Sequence, residues 1–126
     1  MNLKITPIDE SKIEGAEAKY HGVILVIARA QNEKFIAAFR HYTKGIDTAN
    51  MKVSSDEFEE ATMKAMADAI LVGWRNFIVG GEEIPYTKEN AFNLLKNDPD
   101  VREFVSGYSN KIANYLIDDK DDLVGK

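Results

Sequence analysis

The segment that most restricts the fold of this chain is SSDEFEEATMKAMADAILVGWRNF, residues 54–77. At helical spacing Glu57, Glu60, Lys64, Asp68, Leu71 and Arg75 share one stripe, and all but Leu71 are charged. The rest of the circumference is mostly apolar or small. Phe58, Ala61, Ala65, Ala69 and Val72 line one flank; Met63, Met66, Ala67, Ile70, Trp74 and Phe77 line the other. Ser54 and Glu57 have the spacing of a capping box, which satisfies the free N–H groups of a helix start. The pattern therefore predicts a helix running on to Phe77. A helix this apolar must be covered on more than one side, so it is predicted to be the central element of the fold.

The flanking sequence supplies the cover. YHGVILVIARA, rich in β-branched residues, predicts a strand, and its unbroken apolar run predicts burial on both faces. LKITPI predicts a short strand before it, and IDESKIEGAEAK a loop or hairpin tip. NEKFIAAFRHYTKG predicts a helix capped by Asn32 and stopped at Gly45, with Phe35, Phe39 and Tyr42 on one face. Gly80 and Gly81 interrupt FIVGGEEI and predict a tight hairpin, since both readily take positive φ. Pro85 cannot donate to a ladder and should end the pairing. Thr87 is then placed to cap KENAFNLLKN, with Ala91, Phe92, Leu94 and Leu95 inward. Asp98-Pro99 launches the last predicted helix, which buries Val101, Phe104, Val105, Tyr108, Ile112, Tyr115 and Leu116. The expected class is α+β, mainly α: about four helices, a small N-terminal β element and a short β-hairpin after the central helix. One globular domain is expected over residues 1–117, with 118–126 as a flexible acidic tail.

The residue inventory points away from catalysis. With 126 residues the chain can bury one core unaided, and with no cysteine it has neither disulfides nor a thiolate zinc site. A net charge of -5 argues against general nucleic-acid binding, which rests on Lys and Arg contacts to phosphates. The longest apolar run, Gly22 to Ala28, falls far short of the ~20 residues of a membrane span. The first residues, MNLKITPIDESKIEG, lack the pattern of a signal peptide, so the expected location is the cytoplasm. A nucleophile needs an adjacent base, and only His21 and His41 could supply an imidazole; one opens a strand and the other lies on a solvated helix face. DDKDD lacks the ligand spacing of a calcium loop, and there is no phosphate-binding glycine loop. GGEEI is similar to the GGEEF signature of diguanylate cyclases, but those catalytic domains are longer than this whole chain. No catalytic residue, cofactor or metal is expected.

Binding to other proteins is the remaining class. Arg29, Lys34, Arg40 and Lys44 gather against Glu33 alone, which reads as helix-surface charge balance or as a contact for an acidic partner. Leu71 interrupts the charged stripe, so it is either covered within the molecule or presented as an apolar contact. Leu71, Arg75, Arg40 and Lys44 are the candidate partner-binding residues. Met51, Met63 and Met66 would serve as adaptable surface or, for the latter two, as core filling.

One pattern carries a resemblance. A helix ending in Gly73-Trp74 is followed by a Gly80-Gly81 turn, then Ile84, Pro85, Tyr86, Thr87, Glu89 and Asn90, then Leu94-Leu95 and a helix led by Pro99. Over about Gly22 to Val105 this resembles the tail assembly chaperones of long-tailed bacteriophages. The matching residues determine fold rather than catalysis. The resemblance implies a non-enzymatic protein of the host cytoplasm that binds the tape measure protein, keeps its apolar helices soluble, recruits tail tube protein and is left out of the mature virion. It implies neither nucleic-acid nor membrane partners, and it is compatible with a homo-oligomer. It also suggests that a ribosomal frameshift near Gly125-Lys126 appends a second domain. The competing expectation is a structural subunit of the particle, a head–tail connector or tail terminator.

Overall fold

The computed structural model describes residues 7–46 and 56–116. The expectations for Ser54, for Met51 and for the acidic tail lie outside those residues, as do residues 3–6 of the strand expected over LKITPI, of which Ile8 makes an isolated antiparallel bridge to Leu116.

Asp9 accepts a hydrogen bond from the Ser11 N–H and starts a single helical turn, α1 (Glu10–Ile13). The chain then forms β1 (Ala16–Tyr20) and β2 (Val23–Ile27), which pair antiparallel across a turn at His21 and Gly22. β1 replaces the expected loop. Its sequence, AEAKY, alternates small or aromatic residues toward the core with Glu17 and Lys19 toward solvent, a strand pattern carried by weakly hydrophobic residues. β2 lies in the middle of the sheet, yet only Leu25 and Ile27 are fully buried, so the expectation of burial on both faces is too strong.

Helix α2 (Glu33–Thr43) begins where expected: the Asn32 side chain accepts from the Phe35 N–H at 2.7 Å and donates to the carbonyls of Arg29 and Ala69. Helix α3 (Asp56–Ala69) is the central element, packed by α2 on one side and α4 on the other. It stops eight residues earlier than the sequence predicts, because Leu71–Arg75 is a strand, β3, antiparallel to β2. The switch is made at Ile70. Its N–H closes the last helical turn to Met66, and its carbonyl accepts from Ala28 N–H at 2.7 Å, the first bond toward the sheet. Gly73 and β-branched Val72 are poor helix formers, and β2 would otherwise leave a row of backbone groups unpaired. Leu71 and Arg75 therefore do not continue the charged stripe of α3.

β4 (Ile78–Val79) and β5 (Glu82–Glu83) form the expected hairpin. Thr87 caps α4 (Lys88–Asn97) through the Asn90 N–H at 2.9 Å, and Asp98 caps α5 (Pro99–Ser109) with Pro99 in its first turn. Replacing Thr87 with Ala is expected to cost about 1 kcal/mol, read as a lower urea midpoint with an unchanged slope. The last helix is also shorter than expected. α5 ends at Ser109, and Ile112–Tyr115 is a 3₁₀ turn that leaves Ile112 47% exposed while burying Tyr115 completely. The Tyr115 hydroxyl donates to the Ile27 carbonyl, and burial holds it well above the usual tyrosine range.

The core lies where α3, α4 and α5 meet one face of the sheet. Leu25, Ile27, Met63, Met66, Ile70, Leu71, Leu95, Val101 and Val105 fill it, so Met63 and Met66 are core residues. The class is α+β, mainly α, as the sequence implies.

Candidate partner-binding surface

The stretch from β3 to α4 is a cross-tied corner. Trp74 stands opposite Leu25 in the sheet, and its indole N–H donates to the Ile84 carbonyl at 2.8 Å. Phe77 and Tyr86 pack on its ring, each with centroids 5.0 Å away. The Tyr86 hydroxyl donates to the Leu71 carbonyl at 2.7 Å, and burial raises its pKa. The Ile84 N–H returns to the Phe77 carbonyl at 2.7 Å, and the Asn90 amide donates to the Pro85 carbonyl. The side chains of Trp74, Tyr86 and Asn90 thus bond across this stretch to the carbonyls of Ile84, Leu71 and Pro85.

This corner holds the hairpin out in solvent. Gly80 and Gly81 both have positive φ, 59° and 81°, the geometry of the two-residue turn that matches strand twist. Ile78 is 62% exposed and Val79 56%, the two most exposed large apolar side chains among the described residues. Glu82 and Glu83 beside them are exposed and make no ion pair among the described residues.

The four residues that the sequence nominates for binding do not form one site. Leu71 is 0% exposed and lies in the core cluster, so it presents no contact. Arg75 is exposed but forks onto both oxygens of Glu17 across the outer face of the sheet, and the hydrogen bonds from Arg75 hold the Glu17 carboxyl below its usual range. Arg40 and Lys44 are the two that remain available. Arg40 lies on the solvent side of α2 near Ile36, which is 41% exposed, and Lys44 is exposed just past the end of that helix. The opposite side of α2 packs on α3 through Phe35, Phe39 and Tyr42, with Phe39 edge-on to Phe58 and the Tyr42 hydroxyl donating to Asp68 at 2.6 Å. Arg29 and Lys34 line a separate cleft of about 440 Å³ between α1 and the start of α2, over a floor of Ile13, Ala28, Ala69 and Val72. Glu14 and Glu33 share that lining, so its charge is mixed.

Among the described residues neither histidine has a hydroxyl hydrogen-bond partner. His21 sits in the β1–β2 turn with its ring edge-on to Tyr20, and His41 is exposed beside Tyr42. Among the described residues no group of three or more His, Cys, Asp or Glu is arranged to hold a metal, and no helix is long and apolar enough to cross a membrane.

The model of the YdaY prophage protein family matches residues 29–126. The chain belongs to that family. In this YdaY-family chain the matched span contains the whole corner, the hairpin and the solvent side of α2. The curated proteins and the solved structures compared with the chain give no match.

The exposure of Ile78 and Val79 is a candidate feature that the sequence does not single out. Its signal is local. Strands of two residues joined by Gly-Gly leave nothing on the hairpin to cover a β-branched pair, and Glu-Glu on the return strand keeps the unit in water.

Proposed function

We propose that this prophage protein is a tail assembly chaperone. It is a non-catalytic protein of the bacterial host cytoplasm that binds the tape measure protein and helps recruit tail tube subunits. The observation that carries this reading is the corner from Gly73 to Pro99, whose residue pattern resembles that of such chaperones and which holds an apolar, acid-flanked hairpin in solvent. Membership of a prophage protein family supports the setting. A chaperone of this kind needs an acidic body to stay dispersed and an apolar contact to engage helices in transit. The net charge of -5 and the Ile78–Val79 pair supply these.

The test is co-expression with the tape measure protein of the same prophage. The long protein is expected in the soluble fraction with this chain and in the pellet without it. Equal insolubility in both cultures would defeat the chaperone reading. Finding the chain at stoichiometric level in purified particles would favour a connector or terminator subunit instead.

A further inference from the structure

The hairpin has a symmetry that narrows what it can bind. Residues directly opposite each other in an antiparallel pair point to the same face. Ile78 stands opposite Glu83 and Val79 opposite Glu82. Each face of the hairpin therefore carries one β-branched side chain and one carboxylate. A single flat surface would cover one face and leave the other in water. Covering both takes a partner with two walls, each offering an apolar strip with a cation beside it.

We infer that the β4–β5 hairpin is a prong that seats between two basic amphipathic helices of a partner protein. This deepens the chaperone reading, on which it rests for the partner being helical. The prong is organised in advance. Two β-branched side chains with restricted rotamers stand on a turn fixed by Gly80 and Gly81, and the Trp74 ring ties its base to the sheet. Glu82 and Glu83 have no cation of their own among the described residues, so a basic partner meets no competing cation on the hairpin.

A second copy of the chain fits less well. The solvent side of α2, with Ile36 and Arg40 and with Lys44 just past its end, is one convex wall. The groove between Tyr42 and Phe92 has two walls, but Lys88 at its edge already lies 3.9 Å from Asp68, and Lys96 nearby lies 3.4 Å from Glu60. Lys64 in that lining has no ion pair among the described residues, but Asp68 and Glu89 there make the groove's charge mixed rather than basic.

Trp74 is the only tryptophan and lies beneath the prong, so its emission reports occupancy. The probes are two synthetic peptides of equal length that pair as amphipathic helices, one of Leu and Lys and one of Leu and Glu. The Leu/Lys peptide is expected to shift the emission saturably, and added salt should weaken it. Ile78→Ser with Val79→Ser should lower that affinity about tenfold or more at unchanged melting temperature, because both side chains are exposed. Glu82→Lys with Glu83→Lys should transfer the preference to the Leu/Glu peptide. Equal response to both peptides, or affinity indifferent to all four changes, would overturn the prong. So would sedimentation of the protein alone as an oligomer that the Ile78 and Val79 changes dissolve, since the occupant would then be a second copy. A tape measure protein kept soluble by the variant chain as well as by the native one would remove the prong and leave the chaperone reading standing.

Discussion

Leu71→Asp is expected to abolish folding. Leu71 is fully buried in the cluster formed by α3, α4, α5 and the sheet, it pairs with Ile27, and its carbonyl accepts the Tyr86 hydroxyl. Removing the side chain alone, as in Leu71→Ala, should cost about 2–5 kcal/mol. A carboxylate at the same place adds the cost of desolvating a charge with no cation in contact, or of protonating it, which is several kcal/mol more. The sum reaches the whole stability of an ordinary domain, about 5–15 kcal/mol. Far-UV circular dichroism and gel filtration should find Leu71→Asp unfolded or aggregated and Leu71→Ala folded with a lowered urea midpoint. A folded, monodisperse Leu71→Asp protein would show that this side chain faces solvent, and the binding role considered for it from the sequence would return.

That same residue marks where the sequence stops being legible. The caps at Asn32, Thr87 and Asp98 and the Gly80-Gly81 turn were readable because each is a bond or dihedral within a few residues of its cause. The path of residues 70–75 was not. Apolar residues on two flanks of a helix and apolar residues entering a buried strand give the same local pattern, and only pairing with β2, far away in sequence, separates them. β1 is hidden for a related reason: Ala16 and Ala18 are buried, yet alanine carries little hydrophobic signal to mark a strand. The candidate site divided along the same line. Arg40 and Lys44 were read correctly as surface, since the Phe35–Phe39–Tyr42 face fixes which side of α2 looks outward. Leu71 and Arg75 share a stripe only in a helical register that ends at Ala69; Leu71 is covered within the molecule, one of the two readings the sequence leaves open for it.

Trp74→Ala is the change expected to separate the hairpin from the fold. The indole joins the sheet to the base of the hairpin, with its ring against Phe77 and Tyr86 and its N–H on the Ile84 carbonyl. The hairpin beyond it has only two residues in each strand, too little for independent stability. Truncation should cost about 3 kcal/mol, the low end for tryptophan, because the ring is partly exposed from the start. The loss should be uneven. Amide exchange at Ile84, whose N–H bonds Phe77, is expected to approach the rate of an open chain, while Leu25 and Ile27 in β2 keep most of their protection. Trp74→Phe keeps a ring between Phe77 and Tyr86 but loses the bond to Ile84, and should cost about 1 kcal/mol. If Ile84 stays as protected in Trp74→Ala as in the native chain, the hairpin is held by something other than this ring, and the prong loses the rigidity argued for it. If exchange rises together at Ile84 and through β2, Trp74 serves the core as a whole, and the corner is not a separate unit.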